Sequence, residues 1–455
     1  MLDIVLVKSE KTTDSKLTFL HFVFIFVLLY SLMMLFWQFS SPVLEYHGFR
    51  QTQTALSVYW LLKGGPWLLY ETPILGYPWS IPFEFPIYQW MVALIYKVSN
   101  LSIDESGRLL SIVCFYLSLI PIWFLIKELD RPRQCFWITS VLFLVCPNLL
   151  FWSHTFLIES ASLFFCLSFI SSGLCFLNRP VFKYFFICSV FGGLGALSKI
   201  TTFVPAIYFF SGLVIRDWYL NKYQINWKII VKYLYVLLLV LAPVFYALVW
   251  THYADLQKIQ NDIGRLITSS KLMSHNFGSI DLRLSFPYWK AVFVRILKNI
   301  PYCCLILYYL IKKRNSIYLS NILMPIWGII SYLAGWLTFA NLIYVHDYYT
   351  AEVVPYLVIS MGLFFNLLKD HLTKAKFLLI VVVAVLSSVA IFFQDYFKFL
   401  SLDNYTHRSY QVGTFVKDNT SAESFMLIDG IDWSSEIGYY SQRKSLTIPT
   451  WVTGT

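Results

Sequence analysis

Apolar runs recur along this chain, many close to the roughly twenty residues that span a bilayer, with short polar junctions between them. Eleven such segments fall near 18–38, 106–126, 135–152, 157–177, 184–199, 202–215, 229–250, 297–311, 319–339, 350–368 and 376–394. Backbone amides in lipid must be satisfied within their own element, so each segment is expected to be helical. The junctions alternate in kind. Six carry seventeen basic residues: Lys8, Lys11 and Lys16; Lys127, Arg131 and Arg133; Arg179 and Lys183; Arg216, Lys222 and Lys228; Lys312, Lys313 and Arg314; Lys369, Lys374 and Lys376. The short junctions 153–156 and 340–348 carry none. The positive-inside rule places the basic set, with the N-terminus, in the cytoplasm. The polar start, Met1–Lys16, precedes a segment without a small-residue cleavage site and reads as an uncleaved anchor.

The stretch 83–98 has the hydropathy of a span, but it is short and opens with Glu84 between Pro82 and Pro86. A crossing there would also invert every later basic junction. Residues 39–105 therefore read as one long external loop with two interfacial helices, about 50–63 and 86–97, lying along the membrane surface. A second external loop covers 251–296. The tail, 398–455, is polar enough to fold outside. Phe425–Ile428 and Leu446–Ile448 read as strands, and Asp432–Glu436 as a helix start. The expected fold is an all-α polytopic membrane protein of about eleven transmembrane helices over residues 1–397. A small external α/β domain follows over 398–455.

Composition agrees with this layout. The 455 residues are 58% hydrophobic, 19% aromatic and only 13% charged, with a mean hydropathy of +0.62. A soluble domain of this size needs more charge to cover its surface. The net charge of +10 does not point to nucleic acid, because the basic residues lie between spans and not on one soluble face. The eight Cys lie in or beside apolar segments, without metal-ligand or redox spacing, and read as small buried hydrophobes.

Candidate chemistry gathers at the non-basic junctions. The first loop holds Glu45, His47, Arg50 and Gln51, then Glu84. His154 and Glu159, Lys199, and His346, Asp347 and Tyr348 follow. Glu159 and Lys199 fall at the ends of expected spans, where a charge is costly unless it faces a polar cavity or a partner. Plainer readings exist for each. Lys199 is long enough to snorkel to the interface, and Glu159 suits the first turn of a helix. Arg50 also fits a solvated interfacial helix, and His346 with Asp347 fits a surface pair. Arg50 and Lys199 are two cations at the depth of a lipid-linked phosphate, and the Arg fork matches phosphate geometry. A His or carboxylate beside them can take a proton from an acceptor hydroxyl. Cations on a departing phosphate stabilise the charge that develops as a glycosidic bond breaks.

These residues, in order, resemble the lipid-donor-dependent glycosyltransferases of the GT-C fold. The likeness is to bacterial members of glycosyltransferase family 39, relatives of protein O-mannosyltransferases and of the aminoarabinose transferases that modify lipid A. His47-Gly-Phe-Arg50 stands where that family has an acidic pair followed by Arg. Glu84-Phe-Pro86-Ile-Tyr88 resembles its Pro-Pro-Leu-x-Tyr, and Ala196-Leu-Ser-Lys199 its Leu-Thr-Lys, whose Lys contacts the donor phosphate. The resemblance covers nearly the whole chain through weak motifs, and it departs where His47 replaces the family's catalytic Asp. It implies transfer of a sugar from a polyprenyl-phosphate donor to a lipid, glycan or protein acceptor at the external face of the inner (plasma) membrane. The base would be His47, ahead of Glu84 and Glu45. The substrate-binding residues would be Arg50, Gln51, Lys199, Glu159, His346, Asp347 and Tyr348. No cofactor is implied, and a divalent cation is left open. A flippase-type transporter is the alternative from another class, but inverted repeats and helices broken at the midplane are not evident. A polysaccharide polymerase or ligase would differ in its donor, a diphosphate-linked glycan.

Overall fold

A computed structural model describes residues 14–221, 226–313, 319–430 and 432–452. The anchor stretch up to residue 13, with Lys8 and Lys11, and the basic residues Lys222 and Arg314 lie outside the described residues. Each expected apolar segment contains a helix, and several are fixed by local signals. Ser102 opens Ile103–Leu117 with a capping box, accepting from the Glu105 amide while Glu105 accepts from its own. Asn226 caps Trp227–Lys258, and Thr373 caps Lys374–Asp395.

Among the described residues, five helices are long and apolar enough to cross a membrane: Ile103–Glu128, Glu159–Asn178, Ile200–Leu220, Trp227–Lys258 and Lys374–Asp395. Four shorter apolar helices accompany them, Phe19–Leu35, Phe182–Ser198, Ile322–Thr338 and Val354–Lys369. The expected count of about eleven crossings therefore exceeds what helix length alone establishes.

Three segments differ in detail from the expectation. The run 135–152 is two helices, Arg133–Val145 and Pro147–His154, bent by 61°. Cys146 leaves the helical region at ψ 118°, and Pro147, which has no N–H, begins the next helix. The run 297–311 starts on the end of an amphipathic helix, Phe286–Asn299, and only Cys303–Lys313 continues it. The run 350–368 opens with a 3-10 turn, Asp347–Glu352, before Val354–Lys369.

Glu159–Asn178 and Val354–Lys369 form the centre of the bundle and are buried almost end to end. Small residues let helices approach closely. A Cβ on Gly362 would collide with Thr139, and one on Gly328 with the Tyr356 carbonyl. At the periphery, Trp227–Lys258 exposes Leu234, Leu237, Leu241, Phe245 and Leu248, the apolar surface of a helix that meets lipid.

The first loop carries two helices close to the expected bounds, Gly48–Leu62 and Ile87–Val98. The second is 12 residues, or about 18 Å, well short of a hydrocarbon core of about 30 Å. The tail contains a parallel pair of strands, Phe425–Asp429 and Lys444–Ile448, and two helices, Arg408–Asn419 and Glu436–Ser441, packed against each other. It does not stand apart. Ser445 N and Thr447 N donate to the carbonyls of Pro73 and Ile74 at 3.0 and 2.8 Å. The Ser435 and Thr52 hydroxyls are 2.9 Å apart. Tail and first loop thus form one layer over one end of the bundle.

Candidate active site

Lys199 is extended (φ −166°, ψ 105°) between Phe182–Ser198 and Ile200–Leu220. This break turns its side chain into the bundle, where it is only 3% exposed. Its ammonium donates to Glu159, the first residue of Glu159–Asn178, and lies 3.0 Å from Glu352, at the end of the 3-10 turn. It also lies 4.1 Å from the ring centre of Tyr349 and 5.3 Å from that of Tyr348, close enough for cation–π attraction. Burial disfavours the charged ammonium, but Glu159 and Glu352 outweigh it and hold the pKa above its ordinary value. Burial pushes the Glu352 carboxyl up to about 7, against the lowering pull of Lys199.

Arg50 projects from the first turn of Gly48–Leu62 and pairs with Glu84 and Gln53, with Phe83 stacked 6.0 Å away. It is near enough to disfavour the charged form of Lys199. The two cations therefore share one neighbourhood, with Tyr348 and Tyr349 between their fields.

His47 precedes this helix with left-handed backbone (φ 59°). Its ring lies 5.2 Å from Tyr348, 5.8 Å from His346 and 5.8 Å from Trp152. Its Nε2 is buried and has no hydrogen-bond partner among the described residues. Burial lowers its pKa, against the pull of Asp347 and Glu159, so the neutral imidazole prevails near neutral pH. His346 stands between His47 and His275 of the second loop, whose ring is 5.9 Å away. Burial, with these two histidines next, drives it down to about 4.

Of the other expected residues, Glu45 is turned inward. Arg108 Nη2 donates to it at 2.7 Å, Asn404 reaches it at 3.4 Å, and His154 Nε2 lies 3.5 Å away. Its carboxylate serves a buried ion pair that anchors the loop. Gln51 is fully buried, accepting from Phe156 N at 2.9 Å and donating to Tyr46 O at 3.3 Å, so both ends of its amide hold backbone. His154 is likewise engaged, with Nδ1 2.9 Å from Leu35 O. Asp347 is engaged elsewhere, accepting from Tyr396 at 3.0 Å with Arg295 at 3.6 Å. Glu84, Arg50, His47, Glu159, Lys199, His346 and Tyr348 are brought together.

Glu352 and Arg108 did not emerge from the sequence pattern. Both lie inside runs taken as spans, 350–368 and 106–126. The reasoning that flags Glu159 and Lys199, a costly charge at an apolar segment's edge, applies to them equally. Among the described residues no cluster of three or more His, Cys, Asp or Glu has the arrangement of a metal site.

The family model described as dolichyl-phosphate-mannose-protein mannosyltransferase matches residues 81–250, a stretch that includes Glu84, Glu159 and Lys199. The fold is similar to ArnT from Cupriavidus metallidurans bound to undecaprenyl phosphate. The TM-score is 0.59 at 13% identity, over 95% of this chain and 86% of that one. It is also similar to the archaeal oligosaccharyltransferase AglB from Archaeoglobus fulgidus, in complex with an inhibitory peptide and a dolichol-phosphate. There the TM-score is 0.60 at 13% identity, over 95% of this chain and 65% of that one. The chain has a GT-C fold. No curated protein matches it in sequence. In this GT-C chain the cations and aromatics meet at one end of the bundle, beneath the layer formed by the first loop and tail.

Proposed function

We propose that the protein transfers a sugar from a polyprenyl-phosphate donor to an acceptor hydroxyl, working at the external face of a cell's inner membrane. The observation that carries this reading is the buried Lys199, walled by Tyr348 and Tyr349, in the neighbourhood of Arg50. The likeness to ArnT and AglB, each bound to a polyprenyl-type phosphate, supports it. Lys199 and Arg50 hold the phosphate and stabilise the charge it gains as the bond from the sugar's anomeric carbon to the phosphate oxygen breaks. The acceptor oxygen forms the new bond to that carbon, and its proton passes to His47 Nε2. Among the three candidate bases His47 has the free, neutral nitrogen, whereas Glu84 is paired with Arg50 and Glu45 with Arg108. Asp347 acts through Tyr396 and Arg295, and Gln51 and Glu45 shape the loop that presents His47. The basic junctions support an external position for this end.

The test is a transfer assay on the purified full chain with a panel of polyprenyl-phosphate sugars and lipid, glycan and peptide acceptors. Transfer from at least one such donor, lost in Lys199→Met, is expected. Activity only with a diphosphate-linked glycan would assign a polymerase or ligase instead.

A further inference from the structure

The proposed donor site has a problem of charge. Lys199 must meet an anionic phosphate, yet two carboxylates and two rings already occupy its ammonium. An ammonium has three N–H donors, and Glu159 and Glu352 hold two of them. The outer oxygens, Oε2 of Glu159 and Oε2 of Glu352, are buried without a partner among the described residues. A phosphate entering beside two ionised, unscreened carboxylates would be repelled. One carboxylate has to give way.

The two acids differ in what holds them. Glu159 begins a 20-residue helix, whose N-terminal dipole favours a negative charge, and among the described residues its hydrogen bond is to Lys199 alone. Glu352 Oε1 also accepts from the Thr201 hydroxyl at 2.9 Å. A hydroxyl donates or accepts by rotating, so Thr201 partners Glu352 whether the acid is charged or neutral. Glu352 alone can lose its charge without losing its partner. The other titratable groups facing it are Tyr349 on the same turn, Cys166 and Tyr356 on the neighbouring helices, and Lys199 and Glu159.

We propose that Glu352 is a positioning residue that holds Lys199 until the donor arrives, then takes up a proton as the phosphate docks and releases the ammonium to it. This inference rests on the donor reading above. The proton comes from solvent and no covalent bond changes. The position of the Glu352 carboxyl at about 7 places the exchange within reach of neutral pH. Docking is therefore favoured at lower pH and opposed as pH rises and Glu352 ionises.

The experiment measures binding of the methyl diester of undecaprenyl phosphate to the purified full chain in detergent, between about pH 6 and 9. As a diester the probe carries one charge that does not itself titrate in this range. For the wild type, affinity is expected to fall by up to about tenfold per pH unit above the Glu352 transition, one proton per binding event. Calorimetry in two buffers of different ionisation enthalpy should report uptake approaching one proton. Glu352→Gln should bind at least as tightly at high pH, with the slope abolished. Should that variant fail to fold, Thr201→Ala provides the second measurement. It removes a hydrogen bond that is stronger to the charged acid than to the neutral one, and should move the onset of the fall to higher pH. Wild-type binding without proton uptake, a slope retained in Glu352→Gln, or an onset unmoved in Thr201→Ala would each overturn the proposal while leaving the donor site intact. No binding of the diester by the wild type at any pH would overturn both.

Discussion

Lys199→Met removes the cation that sits between two carboxylates while keeping most of the side chain's length. Lys199, Glu159 and Glu352 are 3%, 3% and 1% exposed, so the bared charges find little water. Breaking a buried pair by removing one partner costs about 3–5 kcal/mol. Glu352 relieves part of that by taking a proton, since burial pushes its carboxyl up and the lowering pull of Lys199 is gone, so the low end, about 3 kcal/mol, is expected at neutral pH. At roughly 1 °C per kcal/mol for a chain of this size, the unfolding temperature should fall by about 3 °C. Adding Glu159→Gln and Glu352→Gln makes the cluster neutral and should recover most of the loss. Donor affinity should not recover, because a lost charge-assisted hydrogen bond costs about 1.5–3 kcal/mol, or roughly ten- to hundredfold. Tryptophan fluorescence during heating in detergent and binding of a polyprenyl phosphate read the two effects separately. Unchanged stability in Lys199→Met would refute the buried cluster. Wild-type affinity in the triple variant would remove Lys199 from the phosphate.

Other outcomes follow from the same geometry. His47→Ala should lower turnover by about 10²–10⁴ with donor binding intact. His47→Asp should return part of it with the profile moved to lower pH, since an ordinary Asp titrates near 3.9 against about 6.5 for His; near-normal turnover in His47→Ala would pass the role to Glu84, then Glu45. Arg108→Leu leaves Glu45 buried without its cation and should cost about 3–5 kcal/mol, read as a lower unfolding temperature; a neutral result would refute the anchoring pair. Cysteines at the exposed positions Lys63 and Glu423 should be labelled from one side of the membrane, and one at Lys183 from the other; labelling of Lys63 and Glu423 from opposite sides would refute the topology.

Local pattern carried much of the fold. The surface helices expected at 50–63 and 86–97 are Gly48–Leu62 and Ile87–Val98, because amphipathicity and the prolines around Glu84 are written into neighbouring residues. The strands at Phe425 and Leu446 were legible for the same reason. The bend at Pro147 was not read, since hydropathy averages across it and only the proline marks it. Arg408–Asn419 was missed because its face is too polar to stand out against a loop. Within the site, side chains at apolar edges were recognisable as costly charges, and Lys199 and Glu159 meet. What the sequence did not reveal was pairing. Glu45 lies five positions from Arg50 but belongs to Arg108, 63 residues away, and Glu352 reaches Lys199 only once the two chain segments are packed.

The bonds between tail and first loop have a consequence for the order of synthesis. Ser445 and Pro73 are 372 positions apart. At about 5–20 residues per second, the loop bearing His47 and Arg50 waits roughly 20–70 s for the strand that closes over it. Once Lys199 is made, the growing chain has both cations but not the layer above them. A ribosome that stops early therefore leaves a protein that has entered the bilayer with its catalytic loop unsecured, so completion of the polypeptide, and not membrane insertion, is the step that arms the site.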